Sequence, residues 1–145
     1  MKKLIASLLL VGAAFGAKAA IFINNNTSYT VYITFWAHDI NMPAPCSYIS
    51  WRLPVDGGSS VAFNNVTSGG LEWSIPWNIP AYPVITGSAF DVINIVPVYS
   101  GLSGSIGAPG SCATSTTYSA SAGGYTINAS WTAIGGGNVL VQINP

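Results

Sequence analysis

Hydrophobic and polar residues alternate with a period of two in short runs through most of the chain after residue 20. The clearest run covers residues 29–38. This alternation is typical of a β-strand with one buried face. We expect the set of alternate residues that begins with Tyr29 and ends with Ala37 to face the core. The other set, which includes Trp36 and His38, is expected to face outward.

Similar patterns predict an all-β fold, and no segment has the periodicity of an amphipathic helix. Residues 90–99 are apolar on both faces, which favours a central strand, whereas the Gly/Ser/Pro-rich residues 101–115 are expected to form a surface loop. We predict a single antiparallel β-sandwich of about nine short strands, immunoglobulin-like or jelly-roll-like, over residues 20–145. The strand patterns fall at residues 21–23, 29–38, 47–53, 59–63, 71–75, 82–86, 90–99, 116–122, 125–133 and 139–143.

The first nineteen residues have the layout of a cleaved signal peptide. Lys2 and Lys3 form a basic start, an apolar run follows over residues 4–15, and Ala17 and Ala19 supply a small-x-small cleavage pattern. We therefore expect a secreted protein, extracellular or periplasmic. No second long apolar stretch follows, so no transmembrane anchor is expected.

The charge balance changes when residues 1–19 are removed. Arg52 is then the single basic residue against four acidic residues, a formal net charge of −3. Nucleic acid is not an expected partner, because phosphate binding needs a cluster of Lys and Arg. A polar surface with so little charge also favours self-association, since charged residues normally block pairing between sheet edges.

Two cysteines, Cys46 and Cys112, each lie in a turn-rich segment. In an exported chain an even cysteine count favours pairing, so we predict a disulfide that joins two loops. On the chain-entropy treatment, a bridge that closes so long a loop stabilises the fold by roughly 4 kcal/mol.

Few residues are available for catalysis. His38 and Asp39 are neighbours, but adjacent strand residues point to opposite faces, so we interpret them as a solvated strand end. Glu72 and Asp91 would act as a glycosidase pair only if the fold brought them together, and Glu72 has the pattern of an exposed strand carboxylate. We therefore expect no catalytic residues.

Metal binding is not expected either. His38, Met42 and Cys46 are evenly spaced, and imidazole with sulfur suits copper, but one histidine is too few for such a site. A disulfide at Cys46 would also remove its thiolate. We expect no metal and no cofactor.

Aromatic residues concentrate beside prolines in residues 71–83. Trp77 and Tyr82, with Asn78 between them, are candidate ligand-binding residues, because a proline-stiffened loop can present a flat aromatic ring to a sugar. In the alternative interpretation, Trp77 and Tyr82 close one end of the sandwich.

These observations predict an exported, non-catalytic binding module whose partner is a polysaccharide or a surface protein. A self-assembling structural or adhesive surface subunit is the alternative hypothesis, and a small secreted hydrolase is the third. Sedimentation at increasing concentration separates the first two, because only a subunit should grow.

Overall fold

The computed structural model describes residues 21–38, 44–64, 66, 73–74, 89–98 and 101–145. Within these ranges the chain is all-β and forms two packed sheets. No helix in the described part of the chain is long and apolar enough to cross a membrane. The strands are β1 Ile21–Asn25, β2 Val31–His38, β3 Tyr48–Ser50, β4 Leu53–Val55, β5 Ser60–Phe63, β6 Trp73–Ser74, β7 Ala89–Pro97, β8 Gly104–Gly107, β9 Thr117–Ala122, β10 Tyr125–Gly135 and β11 Asn138–Asn144.

The strand order differs in one respect from a purely antiparallel arrangement. The five-stranded sheet has the order β5-β1-β11-β10-β9, and the six-stranded sheet has the order β6-β3-β2-β7-β8, with β4 beside β2. β1 and β11 pair in parallel, with Ile21 opposite Val139. The prediction of a wholly antiparallel fold is therefore wrong at this pair, because turn signals report only on strands that are neighbours in sequence.

The core lies between the two sheets. Phe35 of β2 contacts Phe63 of β5 across the core, with ring centroids 5.4 Å apart. It also contacts Phe90 of β7 at 5.1 Å. The predicted inward set of β2 is confirmed, since its members are buried and their alternates are partly exposed. The buried members are Val31, Ile33, Phe35 and Ala37.

The prediction of a surface loop over residues 101–115 is wrong at Gly104–Gly107, which form β8 and pair with β7. Ile106 of this strand is fully buried. Gly104 is also buried, and a Cβ added there would lie 2.4 Å from the Tyr118 ring of β9. Glycine is thus used here for close packing between the sheets rather than for a flexible loop.

The predicted strand over residues 47–53 is divided into β3 and β4, which both pair with β2. Trp51 and Arg52 lie between them and are exposed, Trp51 with 62% of its surface accessible. The interruption places an aromatic ring and a guanidinium group at the surface beside β2.

Other sequence predictions meet the structure only in part. The predicted strand over residues 71–75 is present at Trp73–Ser74, where it pairs with β3. The predicted strand over residues 82–86 and the signal peptide lie outside the described residues. The immunoglobulin-like or jelly-roll-like type and the single-domain extent stay predictions.

Tyr29 joins the two sheets at one side of the core. Its ring meets the ring of Tyr125 edge to face at 4.8 Å, and its hydroxyl donates to the carbonyl of Thr126. Burial raises the pKa of Tyr29 above its ordinary value of 10.0.

Candidate functional site

One extra residue, Asp91, interrupts the regular pairing of β7 with β2. Trp36 lies opposite Val92 and Ala37 lies opposite Phe90, so Asp91 is the additional residue of a β-bulge. A bulge changes the direction of a side chain and often lies beside a functional site. The bulge therefore redirects the Asp91 carboxylate. The apolar pattern of β7 does not predict this change of direction.

The Asp91 carboxylate is buried and has two partners. Its Oδ1 atom lies 2.7 Å from Nδ1 of His38, and its Oδ2 atom accepts the backbone N–H of Cys46 at 2.8 Å. The contact suits the His38 tautomer that carries its proton on Nδ1, since a carboxylate oxygen accepts hydrogen bonds. The interpretation of His38 as a solvated strand end misses this contact, because its partner lies 53 positions away in sequence.

The predicted disulfide between Cys46 and Cys112 is confirmed, with Cα atoms 6.2 Å apart and 66 positions between them in sequence. Cys46 has a φ of 61° and is the one non-glycine residue with positive φ in the described ranges. Such a conformation costs of order 1–3 kcal/mol and persists where its surroundings hold it. Here Asp91 holds the Cys46 backbone and the bridge holds its side chain.

A groove of about 640 Å³ lies on the outer face of the six-stranded sheet. The residues that line it come from β2, β3, β7, β8, the connection between β3 and β4, and the two loops joined by the disulfide. They are Thr34, Trp36, Cys46, Ile49, Arg52, Val92, Asn94, Ser105, Cys112 and Ala113.

The strand register arranges much of this lining in two rows. The two rows are two residues apart along each strand, a distance of about 7 Å. Each row crosses three neighbouring strands, a distance of about 10 Å. The apolar row consists of Ile49, Trp36 and Val92 on β3, β2 and β7. The polar row consists of Thr34, Asn94 and Ser105 on β2, β7 and β8.

Asn94 is held in a fixed orientation within the polar row. Its side-chain N–H groups donate to Oγ of Ser105 at 3.0 Å and to Oγ of Ser103 and the carbonyl of Gly104 at 3.2 Å each. The described residues provide no hydrogen-bond donor to its Oδ1 atom. The groove lining therefore contains an oriented amide, whose Oδ1 atom is a candidate acceptor for a ligand hydroxyl.

Arg52 supplies the positive charge of the groove. Its guanidinium carbon lies 5.8 Å from the centroid of the Tyr32 ring, a cation–π contact that supports the exposed side chain. No Asp or Glu of the described ranges lies within 4.0 Å of the guanidinium group. The groove thus combines an indole ring, an amide, two hydroxyls and a guanidinium group.

The ligand-binding residues predicted from sequence, Trp77, Asn78 and Tyr82, lie outside the described residues. So do Met42 and Glu72. Cys46 is bonded to Cys112 and offers no thiolate to a metal. Across the described ranges, no three His, Cys, Asp or Glu side chains are grouped so that they could hold a metal ion.

The sequence contains local signals for this groove. Asn94 and Asp91 are the two polar side chains in the otherwise apolar strand β7, and a polar residue in such a strand marks a special environment. Trp36 lies on the outward face that the alternation of β2 predicts. The sequence does not indicate the register of β2 against β7 that brings Trp36 and Asn94 into one groove.

No protein-family model, curated protein or solved structure matches this chain significantly, so the function is inferred from the geometry of the groove.

Proposed function

We propose that this protein is an exported, non-catalytic carbohydrate-binding module whose ligand lies in the groove on the outer face of the six-stranded sheet. The observation that carries the proposal is the position of Trp36 beside the polar row of Thr34, Asn94 and Ser105. A sugar ring has an apolar face that suits an indole and hydroxyl groups that suit amides and hydroxyls. The volume of about 640 Å³ falls within the range of small-molecule sites.

The rigidity of the groove supports binding. Trp36 and Asn94 lie on β2 and β7, which are both interior strands of the sheet. Side chains on such strands lose little conformational entropy when a ligand binds. The disulfide also restrains the two loops that contribute Cys46 and Cys112 to the lining.

A binding function is favoured over a hydrolase by the surroundings of His38. Asp91 uses both carboxylate oxygens, one toward His38 and one toward Cys46. In the described residues, no Ser, Thr or Cys side chain hydrogen-bonds Nε2 of His38, which is where a nucleophile would meet a general base. We propose that the His38–Asp91 pair holds the Cys46 loop in place.

The proposed location is extracellular or periplasmic. A disulfide persists in oxidising compartments, and the bond between Cys46 and Cys112 is consistent with one. The export signal expected over residues 1–19 agrees with this.

The proposal is tested by retention of the purified protein on a panel of immobilised neutral and acidic polysaccharides. We expect retention by the parent protein, loss of retention in Trp36→Ala and partial retention in Trp36→Tyr, which keeps an aromatic face. Thr132→Ala, an exposed position on β10 of the other sheet, is the matched control and should be retained like the parent.

Trp77→Ala tests the loop predicted from the sequence. If Trp77→Ala loses retention and Trp36→Ala keeps it in full, the proposed binding site in the groove is contradicted. The result would instead indicate a site in residues 71–83. Circular dichroism of each variant separates lost binding from lost folding.

Self-assembly is a second candidate function, favoured by the edge strand β9. Thr117–Ala122 form one edge of the five-stranded sheet and contain neither a charged residue nor a proline. Natural edges usually carry such residues to prevent strand addition. If the protein is a subunit, its sedimentation coefficient rises with concentration and Ser121→Lys prevents the rise, whereas a monomeric binding module shows no concentration dependence.

A further inference from the structure

We infer that the ligand of the groove is an acidic saccharide and that Arg52 binds its carboxylate. This inference rests on the proposed carbohydrate-binding function and adds the chemical class of the sugar. It follows from the position of Arg52, the one Lys or Arg of the described residues, in the lining of the groove.

Arg52 lines the groove on the same side as the polar row. Tyr32, which supports the guanidinium group at 5.8 Å, lies two residues before Thr34 on the outward face of β2. The contact with the Tyr32 ring restrains a long side chain that would otherwise move freely in solvent. The guanidinium group is thereby kept beside Tyr32, at the end of the groove that lies beyond Thr34 from Trp36.

The charge of Arg52 is not neutralised by the described part of the chain. No carboxylate of these residues lies within 4.0 Å of it, and none lines the groove. Asp56 accepts a hydrogen bond from Thr30 at 2.9 Å, and Asp91 is occupied by His38 and Cys46. A groove whose guanidinium group has no carboxylate partner among the described residues is complementary to an anionic ligand.

The geometry of the guanidinium group favours a carboxylate. Its planar fork can donate two parallel hydrogen bonds to the two oxygens of one carboxylate. In a uronic acid this group projects from the edge of the pyranose ring. The ring of one sugar residue can lie against Trp36 with its hydroxyls toward Asn94 and Thr34, while Arg52 binds the carboxylate of a neighbouring residue, so a short stretch of a polyuronate reaches all three parts of the groove.

The test compares polygalacturonate, alginate and hyaluronan with the same three polymers after their carboxyl groups have been reduced to alcohols. We expect the parent protein to bind at least one acidic polymer about tenfold more tightly than its reduced form, the effect of a charge-assisted hydrogen bond. Arg52→Gln should bring the affinity for that polymer down to the affinity for its reduced form. Arg52→Lys, which keeps the charge but not the fork, should be intermediate.

The outcomes separate the inference from the proposed function. If the parent binds acidic and reduced polymers equally, or if Arg52→Gln keeps the preference, the inference is overturned and carbohydrate binding stands. If neither class nor any neutral polysaccharide is bound, the proposed function fails as well. In Trp36→Ala, affinity for both acidic and reduced polymers should fall together, because stacking does not depend on the carboxylate.

Discussion

Nδ1 of His38 lies 2.7 Å from Oδ1 of Asp91, the extra residue of the bulge in β7. The second oxygen of the same carboxylate accepts the N–H of Cys46, whose side chain is bonded to Cys112. The bulge, the loop and the disulfide therefore form one connected unit. Since both cysteines line the groove, this unit shapes part of the proposed binding site.

Asp91→Ala should destabilise the protein more than His38→Ala. Loss of the carboxylate removes the buried partner of the Cys46 N–H, at a cost of about 1–3 kcal/mol, whereas His38→Ala leaves that hydrogen bond in place. Urea denaturation of the two variants measures the difference in free energy of unfolding. An equal or larger loss in His38→Ala would contradict the assigned role of Asp91.

Replacing both cysteines should lower the free energy of unfolding by up to roughly 4 kcal/mol. The bridge spans 66 positions, and its loss frees a long loop in the unfolded state. The Cys46→Ser/Cys112→Ser variant, compared with the parent by chemical denaturation, provides the measurement. Unchanged stability in that variant would show that the bridge contributes nothing to the fold.

Gly104→Ala should destabilise the protein by about 1–3 kcal/mol, the usual cost of overpacking. The new Cβ would lie 2.4 Å from the ring of Tyr118, which belongs to the other sheet. Ser105→Ala, on the outward face of the same strand, is the control and should cost less. In thermal denaturation, Gly104→Ala should be less harmful in a Tyr118→Ala background, and additive effects would argue against the contact.

The free energy of unfolding should fall at alkaline pH because the Tyr29 phenol ionises. Its pKa is raised in the folded protein by burial, so the native state holds the phenol proton more tightly than the unfolded state does. The corresponding stabilisation is fully present below pH 10.0, the ordinary tyrosine value, and is lost as pH rises through the raised pKa.

The measurement is the free energy of unfolding across this pH range for the parent and for Tyr29→Phe. The variant cannot ionise at this position and should show a flatter decline. An equally steep decline in Tyr29→Phe would exclude Tyr29 as the source.

Local patterns in the sequence predicted the parts of the fold that depend on neighbouring residues. Alternation in residues 29–38 predicted which face of β2 is buried, and the cysteine count predicted the bridge. The parallel pairing of β1 with β11 and the strand at Gly104–Gly107 depend on contacts between distant segments. Gly104 has the appearance of a loop residue until Tyr118 is placed against it.

The candidate site shows the same division. The alternation of residues along β2 predicted that Trp36 faces outward. It did not predict which polar groups lie beside Trp36. Asn94 lies in the neighbouring row because β2 and β7 pair in one particular register, and the bulge at Asp91 shifts that register immediately beyond Val92. Neither the register nor the bulge has a local signal in the sequence.

The most direct test of the groove is a titration of the ¹⁵N-labelled protein with a short fragment of whichever polysaccharide retains it, followed by NMR. The proposed site predicts shifts for the indole N–H of Trp36 and the side-chain amide of Asn94, with little change for β9 and β10. Shifts confined to residues 75–83 or to the five-stranded sheet would contradict it.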